Sequence, residues 1–430
     1  MYVAMKTETF AKLFFLISFT GLIMYAVLAF YTFHTAYTTV ADLEKYNQNY
    51  PIADMNPKVD RFYTDLKYIL IWTTPEYFQN PLGEGQGPFV KYDCPYYNCY
   101  LTTKKDLLNG DYKNFDAVFM DINLLRKWKK MTLPRSRSQT QKYIFHGMRS
   151  SDETPICTIN ADNYFNWTWS YKLSSDIVTP FIEVRDYEGN QIAPRVKVQW
   201  KKDMTKISDI EKEKMKTKTK AVVWVMNSCS TRTNRMVFVK QLRDALREHS
   251  LELDIYGCKM FTCPGNDCMK LVERDYYYYL AYEDSNAEDY VTEEVLKAYH
   301  HNAVPIVKGG ANYKQFLPDG SYLDASVSDP RKIAAAVDHS IKNLEIYYDY
   351  HRWRNHYTIK KSEYWKGLCQ LCELLHSKAN LETYSSYDKF RTWWYTDPLK
   401  ERCYPKGAES MVDVLSYLNS TKRVKRTVSV

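Results

Sequence analysis

The chain has 430 residues, of which 45% are hydrophobic, and a formal net charge of +8 at pH 7. This apolar content excludes a globally disordered protein, and the length allows two or three domains with large cores. Basic and aromatic residues are not clustered together as nucleic-acid binding requires, so no nucleic-acid partner is expected.

A membrane anchor is predicted near the N-terminus. The run Leu13–Phe33 contains no charged residue and matches the roughly 20 residues that cross a bilayer. Lysines precede the run and acidic residues follow it, which favours a cytosolic N-terminus. A cleaved signal peptide is the alternative, but the run is long for one and lacks a small-x-small cleavage site. We therefore predict a cytosolic tail at 1–12, an uncleaved signal anchor at 13–33 and a stem at 34–60.

Two features are consistent with a body outside the cytosol. Asn166 and Asn419 begin Asn-x-Ser/Thr sequons and are predicted glycosylation sites. The ten cysteines form an even count, which fits disulfides in an oxidising compartment. Four of them, Cys94, Cys99, Cys369 and Cys372, could instead supply thiolates to a zinc ion. In a lumenal protein we favour disulfides.

Apolar runs of strand length alternate with polar segments in the first half of the chain. Strands are predicted at Lys67–Trp72, Ala117–Met120 and Tyr143–Phe145. They indicate an N-terminal α/β domain over 61–200. The segment 201–220 lies in a lysine-rich stretch with interleaved acids, and it is expected to form a helical or flexible linker.

A second α/β domain is predicted over 221–345. It begins with a buried strand at Ala221–Met226, a helix with apolar periodicity at Arg235–His249 and a strand at Leu251–Tyr256. Two more disulfides are expected here. One joins cysteines that follow consecutive strands, and the other closes a small loop. The two pairs are Cys229 with Cys258 and Cys263 with Cys268.

The stretch from Tyr276 to Val307 has the order expected of a parallel βαβ unit. A strand at Tyr276–Ala281 leads through a polar loop to a helix at Glu293–His301, with Thr292 as its predicted N-cap, and then to a strand at Val304–Val307. Ligands of such sheets bind beyond the carboxyl ends of the strands. The loop 283–294 is acidic, so a solvated loop is the alternative to a binding site.

The same stretch carries a family resemblance. The sequence LAYEDS at 280–285, DYVTE at 289–293 and VPIV at 304–307 resembles the signature of the α-1,3-fucosyltransferases, a glycosyltransferase family, of which this chain resembles a divergent member of the invertebrate type. FNWTWSY at 165–171 resembles a second motif of that family. The resemblance implies an α/β fold of two facing Rossmann-like domains (GT-B type), with C-terminal helices over 346–403 that pack across both and a tail at 404–430.

The resemblance implies a function as well. Members transfer fucose from GDP-fucose to a GlcNAc hydroxyl in α-1,3 linkage, with inversion, on N-glycan or LacNAc-type acceptors of glycoproteins. The chain would be a single-pass type II protein of the Golgi membrane, anchored through residues 13–33. No cofactor is expected, because the sequence contains no Asp-x-Asp metal motif and the family is metal-independent. The resemblance also suggests that Cys94 and Cys99 are cross-linked to Cys369 and Cys372.

Family motifs assign roles to individual residues. Arg235 matches an arginine that grips the donor phosphates, and Glu283 and Glu293 match acids that face the fucose and are predicted to be catalytic. The remaining predicted donor-binding residues are Asn227, Ser228, Asp254, Tyr256, Gly257, Asp284, Ser285, Tyr290 and Glu294.

Two positions depart from the family pattern. Arg149 occupies the position of the family's general base, and arginine does not accept a proton near neutral pH. Asp152, Glu153 or His146 could replace that base. Glu294 occupies the position of a lysine that contacts the diphosphate, and we predict that Arg149 and Glu294 pair across the cleft.

These departures leave two alternatives to an active fucosyltransferase. One is a catalytically impaired relative that binds glycans without turnover. The other is a glycosyltransferase of the same architecture that uses a different nucleotide sugar.

Overall fold

The protein is described by a computed structural model over residues 20–31, 65–72, 82–125, 133–134, 136–157, 159–226, 235–258 and 260–395. Residues 20–31 form a helix. Within the described ranges, no helix is both long enough and apolar enough to cross a membrane. The predicted cytosolic tail, stem and C-terminal tail, part of the predicted anchor, and Asn227, Ser228, Cys229 and Asn419 lie outside these ranges.

The first lobe is built on a six-stranded sheet in which every strand pair is parallel, in the order β2-β1-β3-β4-β5-β6. Its central strands are buried on both faces, as expected when a parallel sheet is covered on two sides. The strands are β1 (Lys67–Ile71), β2 (Cys99–Thr102), β3 (Ala117–Asp121), β4 (Lys142–Gly147), β5 (Trp167–Ser170) and β6 (Ile177–Val178).

The second lobe has a five-stranded parallel sheet in the order β10-β9-β11-β12-β13. All seven residues of its central strand, the tyrosine-rich β11, are buried. The strands are β9 (Lys220–Val225), β10 (Leu253–Tyr256), β11 (Tyr276–Tyr282), β12 (Val304–Lys308) and β13 (Leu323–Asp324). The predicted pair of α/β lobes with parallel sheets is therefore confirmed.

A small antiparallel sheet, in the order β14-β7-β8, adds to this framework and was not predicted. Its strands are β7 (Ile182–Asp186), β8 (Gln191–Ala193) and β14 (Tyr357–Lys361). Glu183 on β7 is fully buried and bonded by Arg185, Lys360 and Lys366. Burial raises the pKa of Glu183, but hydrogen bonds from Arg185 and Lys366 outweigh it and lower the pKa to about 2.

The helices cover the two parallel sheets. In chain order after residues 20–31 they are α1 (Gly87–Lys91), α2 (Ile122–Leu125), α3 (Asp209–Glu213), α4 (Arg235–Arg247), α5 (Cys268–Asp275), α6 (Glu294–His300), α7 (Pro330–Lys342), α8 (Leu344–Asp349), α9 (Trp365–His376), α10 (Lys378–Glu382) and α11 (Phe390–Trp394).

Helix α9 returns from the second lobe to the first and is bonded to it covalently. Two disulfides join it to the first lobe, Cys94–Cys369 and Cys99–Cys372. A Cβ on Gly367 would lie only 2.5 Å from the indole of Trp169 on β5, so only glycine fits at that helix position. The disulfide arrangement that the family resemblance suggested is present.

The other cysteines that the structure describes are also disulfide-bonded. Cys263 and Cys268 form the predicted small loop. Cys258 and Cys157 are disulfide-bonded, to partners outside the described residues. The zinc alternative is excluded for the four cysteines of the α9 disulfides, because all four thiols are oxidised.

The segment between the lobes makes side-chain hydrogen bonds to the second lobe. It contains a single short helix, α3, among the residues described. The Trp200 indole donates to the Lys314 carbonyl at 2.8 Å, and Lys218 Nζ donates to the carbonyls of Glu273 and Tyr276 at 2.7 and 2.8 Å. The linker is therefore part of the second lobe's surface.

Candidate active site

Two loops from opposite lobes meet at the carboxyl ends of the parallel sheets. One loop follows β4 and the other follows β11. The hydroxyl of Ser150 hydrogen-bonds to the hydroxyl of Ser285, and both residues are fully buried. Ser285 also donates to Asp152 Oδ2 at 3.4 Å. The lobes thus face each other across the region where ligands of such sheets bind.

A second set of contacts extends this junction. Lys172 Nζ lies 2.6 Å from Glu288 Oε2, and the amide of Leu173 donates to Asp289 Oδ2 at 2.9 Å. The ring of Tyr290 packs edge-on against Tyr171, with centroids 5.2 Å apart. The loop after β11 is therefore held by the segment after β5 as well as by the loop after β4.

Glu283 is the most deeply buried acid of this loop. Its backbone amide donates to the Lys308 carbonyl, and its carboxylate accepts from the Thr292 amide at 2.8 Å and the Thr292 hydroxyl at 2.7 Å. Burial raises the pKa of Glu283 to about 8, and the neighbouring acids Glu294 and Asp284 act in the same direction. Glu283 is therefore a clamp that ties the end of β11 to the start of α6.

Two glycines after β12 let this loop lie close to the sheet. A Cβ on Gly310 would stand 2.0 Å from the carbonyl oxygen of Asn286, and one on Gly309 would stand 2.6 Å from the Tyr313 hydroxyl. A side chain at either position would push the loop away. The Gly309-Gly310 pair thus sets the position of the predicted site residues.

The start of helix α6 differs from the prediction. Its N-cap residue is Glu293, and the Thr292 hydroxyl is bonded to Glu283 while it also accepts from the Glu294 amide at 3.3 Å. Thr292 is therefore not the N-cap, because the helix begins one residue later than predicted. The Glu293 carboxylate is half-exposed and pairs with Lys361 on β14 at 2.8 Å.

Arg235 is the first residue of helix α4, and its side chain points inward. Its guanidinium donates to the Tyr282 carbonyl at 3.2 Å and lies 5.1 Å from the Trp224 ring centroid. Burial lowers the pKa of Arg235, whereas the nearby acids Asp284 and Glu294 raise it. An arginine stays protonated throughout the physiological range, so a cation stands at the carboxyl end of β11.

The predicted pair between Arg149 and Glu294 is wrong for the folded chain. Arg149 is exposed, and no ion pair joins it to Glu294 in the part of the chain that the structure describes. Glu294 instead pairs with Lys297, one turn along α6, at 2.5 Å and accepts from the Tyr279 hydroxyl at 3.0 Å. A lysine one turn later therefore neutralises the carboxylate that departs from the family pattern.

The loop after β4 brings a different carboxylate towards the second lobe. Burial raises the pKa of Asp284, and the carboxylate of Glu153 is near enough to raise it further. Glu153 is half-exposed, and its carboxylate makes no hydrogen bond or ion pair with the residues that the structure describes. Glu153 is therefore available to a ligand between the lobes.

The other two candidates for the missing base are engaged. His146 Nδ1 lies 2.6 Å from Asp121 Oδ2, and His146 Nε2 lies 2.5 Å from the Tyr364 hydroxyl. Asp152 is buried and accepts from Ser285. The sequence left His146, Asp152 and Glu153 equivalent as candidates for the base. The structure distinguishes them, because His146 and Asp152 have hydrogen-bond partners and Glu153 has none among the described residues.

Other predicted donor-binding residues lie along β10. The Asp254 carboxylate accepts from the Tyr276 hydroxyl at 2.5 Å and from Lys220 Nζ at 3.1 Å. Lys220 and Tyr276 begin β9 and β11, so Asp254 is directed away from the mouth of the sheet, and its predicted donor contact is not supported by this placement. Tyr256 is also bonded to Tyr276. Gly257 lies at the mouth with a φ of 87°, and a Cβ there would meet the Met226 carbonyl at 2.5 Å.

The predicted glycosylation of Asn166 is contradicted. Asn166 is 3% exposed, its Nδ2 donates to the Ser385 carbonyl at 2.8 Å, and its Oδ1 accepts from Arg137 and from the Tyr143 amide. A glycan would have to be attached to the nitrogen that makes the Ser385 bond. The Asn166 side chain therefore links β4 to the C-terminal segment through hydrogen bonds.

Potential metal ligands come together at the end of helix α9. In the described part of the chain, one group of potential ligands lies close enough to share an ion, namely Cys99, Cys372 and His376. Its two thiols are joined in a disulfide and are not available as ligands. The expectation that no metal is needed stays a prediction.

The contact between Ser150 and Ser285 was not predicted from the sequence. Both serines occur in polar loops that have no helical or strand period. A signal was present only for Ser285, which ends the LAYEDS motif. The partner in the other lobe is set by tertiary structure, because the two serines are 135 residues apart.

Comparisons with known proteins agree with this architecture. The model of the C-terminal domain of glycosyltransferase family 10 (fucosyltransferase) matches residues 215–393, and the model of the fucosyltransferase N-terminal domain matches residues 64–182. Each model contains one of the two parallel sheets. These features define a glycosyltransferase.

Among curated relatives, α-(1,3)-fucosyltransferase C of Drosophila melanogaster is 29% identical over 367 residues, which cover 81% of this chain and 83% of that protein. Glycoprotein 3-α-L-fucosyltransferase A of the same organism is 28% identical over 322 residues, covering 72% and 57% respectively. A crystal structure of an α1,3-fucosyltransferase with GDP-fucose matches with a TM-score of 0.41 and 16% identity, over 80% of this chain and 97% of that one. The chain belongs to the family 10 fucosyltransferases.

Proposed function

We propose that this protein transfers fucose from GDP-fucose to a GlcNAc hydroxyl of glycoprotein glycans, forming an α-1,3 linkage with inversion. Family membership supports fucosyl transfer. The observation that carries the proposal is the junction of the loops after β4 and β11, where Glu153 of the first lobe lies near Asp284 of the second, and Asp284 in turn lies near Arg235.

The acceptor-side chemistry is assigned to Glu153. In the proposed step the acceptor oxygen forms a bond to the anomeric carbon, the bond from that carbon to the diphosphate breaks, and the acceptor proton passes to a carboxylate. Glu153 extends from the loop that carries the family base, four residues after Arg149. A positioned carboxylate of this kind contributes about 10²–10⁴-fold in rate.

The leaving diphosphate is assigned to Arg235. This arginine lies at the first turn of the 13-residue helix α4, where backbone N–H groups also favour an anion. Charge-assisted hydrogen bonds from an arginine are strong and directional. We propose that this cation takes the role that a divalent metal has in other glycosyltransferases, so that catalysis needs no metal.

We also propose that the protein is a single-pass type II protein of the Golgi membrane, anchored by residues 13–33. The support is the uncharged run in the sequence and the charges on either side of it. Protease protection of epitope-tagged chains in sealed Golgi vesicles tests this. Protection of a C-terminal tag and digestion of an N-terminal tag are expected, and the reverse pattern would contradict the orientation.

The decisive test of function uses the full-length protein with GDP-fucose and a biantennary N-glycan or LacNAc acceptor, with and without EDTA. The expected product is an α-1,3-fucosylated glycan, at a rate that EDTA leaves unchanged. Glycan binding without any product would identify the catalytically impaired alternative. Turnover with another nucleotide sugar, but not with GDP-fucose, would identify a different donor.

A further inference from the structure

Residues 150–154 form one closed turn after β4, and Glu153 is its fourth residue. The amide and the hydroxyl of Thr154 both donate to the Ser150 carbonyl, at 2.9 and 2.8 Å. The Asp152 amide donates to the Ser150 hydroxyl at 3.2 Å. The other four residues of the turn are buried, whereas Glu153 is half-exposed. Glu153 is therefore the residue of this turn that a bound ligand can reach.

The first half of the turn is held by Tyr171, the residue that directly follows β5. Its hydroxyl accepts from the Ser151 amide at 2.9 Å, and the whole tyrosine is buried. Burial raises the pKa of Tyr171, so the hydroxyl stays neutral throughout the physiological range. Without this hydroxyl, a buried backbone N–H group would lose its partner, which is unfavourable. The Tyr171 hydroxyl thus stabilises the observed path of the backbone.

The end of the turn is held by Trp394, the last residue of helix α11. Its Nε1 donates at 2.9 Å to the carbonyl of Thr154, which lies 240 residues earlier in the chain. A Cβ on Gly147 would lie 2.8 Å from the edge of this indole, and the indole centroid lies 4.7 Å from that of Phe145. The indole therefore fits closely beside the end of β4 while it bonds the carbonyl directly after Glu153.

Helix α11 is attached to the first lobe by further contacts. Two nitrogens of the Arg391 guanidinium donate to Asp162 Oδ2, at 2.9 and 2.8 Å. The ring of Phe390 packs against Phe165, with centroids 4.7 Å apart. These contacts do not involve the Trp394 N–H group. Removal of that group alone is therefore expected to release the turn without detaching the helix.

A general base is effective only while its carboxylate lies within hydrogen-bond reach of the proton that it accepts. A misplacement of about 1 Å can lower the rate about 10²-fold. We propose that Tyr171 and Trp394 are positioning residues for fucosyl transfer, which hold the two halves of the turn and so aim Glu153 at the acceptor hydroxyl. This inference rests on the proposed role of Glu153 as the base. It assigns helix α11 a part in the acceptor step.

Steady-state kinetics of the full-length protein with GDP-fucose and a LacNAc acceptor test the proposal. Trp394→Phe keeps a ring but loses the N–H, and Tyr171→Phe keeps the ring but loses the hydroxyl. Each should lower kcat about tenfold or more and leave KM for GDP-fucose within about twofold, because the second lobe is proposed to hold the donor. Trp393→Phe is the matched control, since the Trp393 indole donates at 2.9 Å to the Ser174 hydroxyl, outside the turn. Its kcat should stay within about twofold of the wild type.

Combination with Glu153→Gln separates positioning from a general loss of structure. If the two aromatic residues act through Glu153, adding Trp394→Phe or Tyr171→Phe to Glu153→Gln lowers kcat no further, whereas independent effects would multiply. Where one aromatic variant does not fold, the other decides.

Three results would overturn the proposal: single aromatic variants with the kcat of the wild type, effects that multiply with that of Glu153→Gln, or an equal loss in Trp393→Phe. A fully active Glu153→Gln enzyme would instead refute the proposed base itself. The failure of this inference is therefore distinguishable from the failure of the proposed function.

Discussion

Ser150 of the first lobe and Ser285 of the second hydrogen-bond to each other through their hydroxyls, and both are fully buried. This bond lies between the loop that would present the acceptor and the loop that would hold the donor. A separation of the lobes would break it and expose two polar groups that are otherwise paired. The loops on the two sides of the cleft are therefore joined by a hydrogen bond between two hydroxyl groups.

The Ser150–Ser285 bond is expected to couple the two lobes. In a double-mutant cycle with Ser150→Ala and Ser285→Ala, the coupling energy should be about 1 kcal/mol, measured by urea unfolding. Small-angle X-ray scattering of the double variant should show a larger radius of gyration. The pair Ser170–Ser175, whose hydroxyls lie 2.7 Å apart within one lobe, is the control and should leave the radius unchanged. Zero coupling between Ser150 and Ser285 would contradict the assignment.

Glu153→Gln should reduce kcat about 10²–10⁴-fold with little change in KM for GDP-fucose, because an amide accepts no proton. The exposed Glu188 provides a matched control, and Glu188→Gln should retain full activity.

The same experiment can test the origin of the base. Adding Arg149→Glu to the Glu153→Gln variant restores a carboxylate to the same loop, so we expect partial recovery of kcat. A Glu153→Gln enzyme as active as the wild type would refute the role of Glu153.

Arg235→Lys should weaken GDP binding at least tenfold in calorimetric titration, since lysine cannot make the bidentate contacts of a guanidinium to phosphate oxygens. The control is Arg247→Lys at the exposed last turn of the same helix. Equal GDP affinity in the two variants would remove Arg235 from the donor site.

The raised pKa of Glu283 predicts a pH dependence of stability. Its pKa is about 8 in the folded chain against an ordinary value of 4.5, so the folded state holds the proton more tightly. Its contribution is then most favourable below pH 4.5 and is lost as the pH rises towards 8, by roughly 5 kcal/mol in all.

Glu283→Gln mimics the protonated carboxyl and can still bond Thr292. The free energy of unfolding of the variant relative to the wild type should therefore increase between pH 5 and pH 8. The exposed Glu248→Gln serves as the control. Parallel pH profiles for wild type and Glu283→Gln would show that Glu283 is ionised in the folded chain at all these values.

Lys218 is buried and donates to backbone carbonyls around the end of α5, among them those of Val272, Glu273 and Tyr276. Lys218→Met keeps the length of the side chain but leaves these acceptors without their donor. We expect a loss of about 2–4 kcal/mol in the free energy of unfolding, measured by urea titration. Lys216→Met, on the exposed side of the same segment, should change it by less than about 0.5 kcal/mol.

The sequence was sufficient for seven of the eleven strands that the structure describes in the two parallel sheets, whereas β2, β5, β6 and β13 were not predicted. The strands at β1, β3, β4, β9, β10, β11 and β12 were all predicted within one or two residues, because buried parallel strands appear as short apolar runs. The antiparallel sheet was missed, since β14 lies far from β7 in sequence and carries exposed charged residues. Helix α5 was also missed, because it has eight residues and follows a cysteine-bounded loop.

For the site, the sequence determined which residues would lie at the mouth of the second sheet, since a βαβ unit fixes where its loop emerges, and the LAYEDS motif marked that loop. Only the tertiary structure decided their partners. It paired Glu294 with Lys297 rather than Arg149, engaged His146 on both nitrogens, and left Glu153 facing the second lobe. Periodicity in a sequence reports which face of an element is buried, whereas a contact between loops more than a hundred residues apart depends on how two complete lobes dock.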